Sequence, residues 1–252
     1  MNEELIELRR RARLMLDLSA PRDALAAYYA LYHDAARTHI LIEGTGRVEG
    51  FLAICRTGHD LFRPFAVLRA RSDLAAAALL DRGLTPHRPY YVITTPDLQA
   101  IVEDVLSVYK AGANRIYRLA LSRYAPSVNV LVVAVPRPEG APHFVIRSEG
   151  RVVADSGVNW ISPHFAELYV NVAPQAQGRG WGKAVLEACT SWVLRTGAQP
   201  LYVVSEENAP SIGLAESVGF VDTLSRELVA EGVMQDWRNV SQTEKNDERT
   251  FA

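Results

Sequence analysis

Apolar residues recur along the chain at two different periods, and the alternation between those periods predicts a mixed α/β protein. Residues 2–17 place Leu5, Leu8, Ala12 and Met15 at helical spacing, which reads as one amphipathic helix. Ser19, with Pro21 in the turn that follows, predicts a second helix running to about Ala36. The runs His39–Glu43 and Arg47–Cys55 flank Gly44-Thr-Gly46 and read as a hairpin. A strand over Arg63–Ala70 follows, and then a helix over Asp73–Leu80, capped by Ser72 and stopped by Gly83. Pro89–Thr94 reads as a strand, Asp97–Tyr109 as a helix and Asn114–Ser122 as a strand. Val128–Val135 is almost wholly apolar, which predicts a central strand buried on both faces.

The stretch Pro136-Arg-Pro-Glu-Gly-Ala-Pro142 is the strongest linker signal. Beyond it, Phe144–Arg147 and Arg151–Gly157 flank Ser148-Glu-Gly150 as a second hairpin. A strand over Ala166–Val172 enters a glycine turn that opens the helix Trp181–Arg195. That helix carries Val185, Cys189, Trp192 and Val193 on one face and stops at Gly197. Leu201–Ser205 is a short strand, Asn208 or Ser211 begins a short helix, and Gly219-Phe220 closes it into a last strand. The order hairpin, strand, helix, strand, helix, strand thus occurs in Leu41–Leu121 and again in Phe144–Leu228, without a matching repeat of residues. The expected organisation is an N-terminal domain over 1–125, a second domain over 126–234 and a polar tail over 235–252.

Composition narrows the classes. Of 252 residues, 48% are apolar, enough for a substantial core, and the net charge of −2 argues against a broad nucleic-acid surface or an anionic-membrane surface. The two cysteines, Cys55 and Cys189, sit in apolar segments and read as buried free thiols, which points to a reducing compartment. Glu3, Glu4 and Glu7 followed by Arg9–Arg11 leave no apolar signal core, and no apolar run approaches the roughly 20 residues needed to span a bilayer. A soluble cytoplasmic protein is expected. None of the six histidines pairs with another at metal-ligand spacing, so no metal is expected.

The candidate chemistry lies in Tyr169-Val-Asn-Val-Ala-Pro-Gln-Ala-Gln-Gly-Arg-Gly-Trp-Gly-Lys183. Gly178, Gly180 and Gly182 allow close backbone approach, and the first N–H groups of the following helix have no partners within it. A strand–glycine turn–helix unit of this kind suits a phosphate or pyrophosphate. A P-loop is a poor match, because Gln177 replaces its first glycine and Ala184 its metal-binding hydroxyl. A dinucleotide fingerprint is a poor match too, because the glycines are spaced two apart throughout and no acidic residue ends the next strand. At the equivalent place in the first half stands Arg69-Ala-Arg-Ser-Asp73, with side chains where a phosphate needs bare backbone.

Gln177-Gly-Arg-Gly180-Trp-Gly182 resembles the Gln/Arg-x-x-Gly-x-Gly/Ala signature of the GNAT superfamily of acyl-CoA N-acyltransferases. Val170–Val172 and Pro174 look like the strand that enters that signature, and Asn208 through Leu214 to Gly219-Phe220 looks like the family's second motif. The resemblance covers 142–223 and implies a mixed-sheet α/β GNAT fold; element order extends it to two GNAT-like halves in tandem, the first without the cofactor motif. It implies acetyl-CoA as co-substrate, with its pyrophosphate on the backbone of the signature through Gln177, Gly178, Gly180, Gly182 and Lys183, Arg179 reaching the 3′-phosphate and Trp181 packing beside the cofactor. The pantetheine arm would lie along the backbone of Val170, Asn171 and Val172, near Asn208 and Ser211. An amine, expected to be a small molecule, would attack the thioester directly, with Glu167 or His164 as base. A protein amine as acceptor and a CoA-binding protein without turnover are the alternatives. The family's tyrosine after Leu214, the acid for the departing thiolate, is Ala215 here; either the thiolate leaves unassisted, as a fair leaving group, or Ser211, a water or an N-domain tyrosine substitutes. The acyl length and the oligomeric state, a homodimer included, stay open.

Overall fold

The computed structural model describes residues 3–58, 60, 62–137 and 140–236. Two units divide the chain, and both are discontinuous in sequence. Unit 1 comprises Met1–Asp17, Tyr29–Ala113 and Glu227–Ala252; unit 2 comprises Leu18–Tyr28 and Asn114–Arg226. In chain order the regular elements begin with α1 (Glu3–Arg13), α2 (Ala24–Ala27), β1 (Thr38–Glu43), β2 (Gly50–Cys55), β3 (Phe65–Ala70), α3 (Asp73–Gly83), β4 (Pro89–Thr94), α4 (Gln99–Val105) and β5 (Leu106–Leu119). They continue as β6 (Val133–Val135), β7 (His143–Ser148), β8 (Arg151–Ile161), β9 (Phe165–Val172), α5 (Trp181–Thr196), β10 (Gln199–Ser205), α6 (Ala209–Val218) and β11 (Phe220–Met234). No described helix is long and apolar enough to cross a membrane.

In unit 1 the strand order is β1, β2, β3, β4, the later half of β11 and the earlier half of β5. β1, β2 and β3 are antiparallel, β3 and β4 run parallel, and β11 pairs antiparallel with β4 from Leu228↔Thr94 to Val233↔Pro89. Leu52, Leu68, Leu79, Leu80, Val92 and Met234 meet in its core. Unit 2 has the earlier half of β11, the later half of β5, and then β10, β9, β8, β7 and β6. There α5 buries Val185, Leu186, Cys189 and Val193 against Ala166 and Leu168 of β9. The element order of unit 1 recurs in unit 2, but the fifth strand of each series is exchanged. β5 pairs with β10, and the end of β11 pairs with β4.

That exchange divides the chain differently from the 1–125 and 126–234 expected. β5 runs unbroken across Ala113 and Asn114, so no composition shift marks the boundary. The proline-rich stretch expected as a linker joins β6 to β7, an antiparallel pair inside unit 2. Three element expectations also give way. The helix expected over Asp97–Tyr109 ends at Val105, because from Leu106 onward the more buried Leu106 and Val108 alternate with exposed Ser107 and Tyr109 and join the sheet. The helix expected from Ser19 is a broken run of short turns, with Ala20 rather than Ser19 in the capping position and no side-chain cap. Val128–Val135 is not a buried central strand. Only Val133–Val135 pairs, at the sheet edge, and Val128 and Val130 are 96% and 91% exposed. β5 takes the place beside β10, which leaves the apolar run nothing to pack under. Both cysteines are buried and free. The expected tail lies outside the described residues from 237 onward.

A chain ending at Arg226 lacks the partner of β4. It should lose cooperative unfolding of unit 1 in a urea titration followed by circular dichroism. An unchanged midpoint and slope would contradict the strand exchange.

Candidate functional site

The pairing of β9 with β10 runs from Gln199↔Phe165 to Tyr202↔Leu168 and stops there, although β9 continues to Val172 and β10 to Ser205. The Ala173 N–H donates to Val153 O at 2.9 Å and fixes the phase of the β8–β9 ladder. In an antiparallel ladder, alternate residues turn both backbone groups to the same neighbour. Tyr169 and Asn171 therefore face β8, while Val170 and Val172 direct their N–H and C=O into the gap where β10 has turned away.

The gap opens toward the glycine turn. Gly178 and Gly180 have φ of 74° and 72°, in the left-handed region, and Gly180 is the residue preceding α5. Gly182 is needed for space instead: a Cβ there would lie 2.9 Å from Val172 Cγ2, so helix and strand could not sit so close. No side chain caps α5, and its first backbone donor to find a helical acceptor is Ala184, bonding to Gly180 O. The N–H groups ahead of it remain as donors at the positive end of the helix dipole. A cavity of about 580 Å³ receives both sets of backbone groups.

Val170, Val172, Gln177, Gly178, Gly180, Trp181, Gly182, Lys183, Asn208 and Ser211, all singled out from the sequence, line that cavity. Asn171 does not: its backbone belongs to the β8 ladder, and its side chain donates to Asp155 Oδ2 at 3.2 Å. Arg179 is exposed, with its guanidinium 5.0 Å from the centre of the Trp181 ring, a cation–π contact. Asn208 caps α6, accepting from the Ser211 N–H at 3.2 Å. Pro210, Leu214 and Ser217 complete the wall; Leu214 and Pro210 stand inside the second motif, so its helical spacing was a usable signal for them. Ala215 is fully buried in the core of unit 2. The Ser211 hydroxyl lies 2.6 Å from that of Tyr202, a partner that no motif in the chain singles out.

Neither candidate base lines the cavity. Glu167 projects from the face of β9 opposite Leu168 and Val170, where Asn159 Nδ2 donates to it at 2.6 Å and Trp160 Nε1 at 2.7 Å. Trp160 is in turn stacked on Tyr28, with ring centres 5.2 Å apart. Burial pushes the Glu167 carboxyl above its ordinary value, and the two hydrogen bonds pull it back. His164 is exposed, ahead of β9 and at the end away from the glycine turn. A cluster missed from the sequence shares the Glu167 face: His143 Nε2 lies 2.8 Å from Asp155 Oδ2, and Arg137 donates to the Tyr169 hydroxyl at 2.9 Å. It joins residues of β7, β8 and β9 with Arg137 from the connection between β6 and β7, so strand register and that connection bring it together.

Unit 1 has the corresponding fork, and it is closed. β3 and β4 pair from Phe65↔Tyr91 to Val67↔Ile93. Just beyond, Thr94 Oγ1 donates to Leu68 O at 3.1 Å and buried Arg69 Nη1 donates to the same oxygen at 3.0 Å. Ser72 caps α3, accepting from Ala75 N at 3.3 Å. Side chains of the chain itself take the positions that backbone leaves open in unit 2.

Residues 114–220 match the family model described as the Acetyltransferase (GNAT) family. The chain carries a GNAT domain. No curated protein matches the sequence. Among solved structures, a GCN5-related N-acetyltransferase-like protein from Streptococcus suis is similar with a TM-score of 0.62 at 15% identity, covering 90% of this chain and 99% of its own. A GNAT-family protein from Novosphingobium aromaticivorans, described as a putative acetyltransferase, gives 0.56 at 17% identity, covering 77% and 92%. A tandem GNAT protein from the clavulanic acid biosynthesis pathway gives 0.55 at 14% identity, covering 92% and 95%. At these identities the likeness is one of fold: a mixed-sheet GNAT architecture with a tandem counterpart among known structures.

Gly182→Ala in the GNAT domain should cost about 1–3 kcal/mol in denaturant titrations, because β-branched Val172 offers little room to yield. A cost near zero would show that α5 and β9 are not held so close.

Proposed function

We propose that this protein is an acetyl-CoA-dependent N-acetyltransferase acting on a small-molecule amine. The reading rests above all on the parted β9 and β10, which leave the backbone groups of Val170 and Val172 directed into the same cavity as the uncapped start of α5. An extended arm bearing amides satisfies the first set as an added strand would, and a pyrophosphate satisfies the second. Lys183 and Arg179 supply positive charge beside those phosphates. With the thioester held at the fork, the amine attacks the carbonyl carbon; the C–N bond forms, the C–S bond breaks, and the sulfur leaves with the electron pair. Glu167, whose raised basicity follows from its burial, takes the proton released by the amine. His164, exposed at the far end of the strand, is the weaker choice for that role. Asp155 and Glu167 give the same face acidic groups suited to an ammonium acceptor.

A second reading, an acyl-CoA-binding protein without turnover, draws on Ala215, which offers no acid to the leaving group. Acetyl-CoA at about a hundredfold over its dissociation constant should raise stability by roughly 2.7 kcal/mol, read as a thermal shift, and a panel of small amines should release free thiol. No shift with any acyl-CoA sinks the proposal; a shift without thiol release from any amine leaves the binding protein. Gly180→Glu, which sets a side chain and a like charge in the phosphate position, should abolish the shift.

The base works as a carboxylate, so the rate should fall as pH drops through the raised Glu167 pKa. Asn159→Ala removes a hydrogen bond that favours the charged form, and should move the acidic limb of kcat to higher pH. An unmoved limb would separate Glu167 from the proton transfer.

A further inference from the structure

Tyr202 is the last residue of β10 to pair with β9, so its backbone marks the point where the strands part. Its phenol is buried among the core side chains of unit 2, beside Phe220, and reaches the Ser211 hydroxyl at 2.6 Å. Ser211 is on the cavity wall and Tyr202 is behind it. Ser211 and Ala215 are four apart on α6 and so share one face of that helix. The chain therefore carries a phenol beside the face that lacks one at Ala215, brought in from a neighbouring strand.

Which hydroxyl donates follows from acidity. Either hydroxyl can donate in this pair, and the greater acidity of the phenol favours Tyr202 as donor and Ser211 as acceptor, the arrangement that leaves the serine proton free to turn into the cavity. Accepting one hydrogen bond also strengthens the next bond the serine donates. Position follows from reach. From Val172, beside the phosphate end, to Leu168 at the fork is four residues, about 13 Å of extended strand. An arm lying along that length brings its sulfur end to the fork, where Tyr202 leaves the ladder and sends its phenol to Ser211 on the cavity wall.

We infer that the Ser211 hydroxyl, aligned by Tyr202, donates a hydrogen bond to the sulfur that departs as thiolate, an inference that rests on the acyl-CoA reading above. No proton changes hands in this step: the sulfur keeps the electron pair of the broken C–S bond, and the hydroxyl stabilises the charge. Ser211 touches the reacting atom and is the catalytic residue; Tyr202 acts through it and is a positioning residue.

Free CoA provides a test that needs no acceptor. Its thiol, bound to the full-length protein, is titrated by thiolate absorbance. The protein's own Cys55 and Cys189 stay silent below the alkaline extreme, because burial pushes both thiols up to about 12. A hydrogen bond to the thiolate should lower the bound thiol's pKa by about one to two units relative to free CoA. Ser211→Ala should abolish that depression, Tyr202→Phe should remove part of it, Ser211→Thr should keep it, and Ser211→Ala with Tyr202→Phe should equal Ser211→Ala alone. With an accepted amine, Ser211→Ala should lower kcat about tenfold or more with KM for acetyl-CoA little changed. CoA that binds the wild type with an undisplaced thiol pKa, or with the same pKa in the wild type and Ser211→Ala, overturns the inference and leaves the cofactor reading standing. A wild-type protein that binds no CoA overturns both. Thermal melting of Ser211→Ala and Ser211→Thr, at a half-buried position, checks that a lost depression is not lost folding.

Discussion

A sheet that stops pairing must do something with the backbone groups it releases, because an unpaired N–H or C=O inside a protein costs about as much as a lost hydrogen bond. The fold of both units turns on that constraint. In unit 1 the carbonyl of Leu68 is answered from within, by Thr94 and Arg69, and the helix that follows is closed by Ser72. In unit 2 the groups of Val170 and Val172 and the start of α5 face a cavity instead. The same architecture thus closes its fork in one half and leaves it open to a cavity in the other. The difference lies in a handful of side chains at the fork and the helix start, not in the strands and helices that hold them.

The cavity was legible in the sequence where it depends on residue type. Gly178 and Gly180 adopt φ values that other residues resist, Gly182 permits a close approach, and Asn208 caps a helix, so each leaves a mark in the chain. Properties set by register left none. That Asn171 faces β8 and not the gap is decided by the bond from Ala173 to Val153, and the pairing of His143 with Asp155 by the register of β7 against β8. Apolar content misled in Val128–Val135, since it says that a segment suits a sheet but not whether the sheet has a second face to cover it. Asp97–Tyr109 fits a helical period and a strand period in turn, and the change at Leu106 shows only once β5 has partners.

Glu167 shows how the two faces of β9 divide the work. Leu168, Val170 and Val172 turn toward α5, and Glu167, Tyr169 and Asn171 turn the other way. A single strand therefore brings cavity-facing backbone and an ionisable face within one residue of each other. Trp160 stacks on Tyr28 while its ring nitrogen holds the Glu167 carboxylate, which explains why unit 2 includes Leu18–Tyr28 from far upstream.

The exchanged strand bears on the order in which the molecule can be built. Thr94 and Leu228 pair across more than half the length of the chain, a closure that pays its entropy late. On the ribosome, every segment of unit 2 has been synthesised once Arg226 has been added, whereas unit 1, which begins the sequence, still waits for Glu227–Met234. The domain that comes second in the gene is the first whose parts are all present, and the leading domain must hold an open edge at β4 until the last strand emerges.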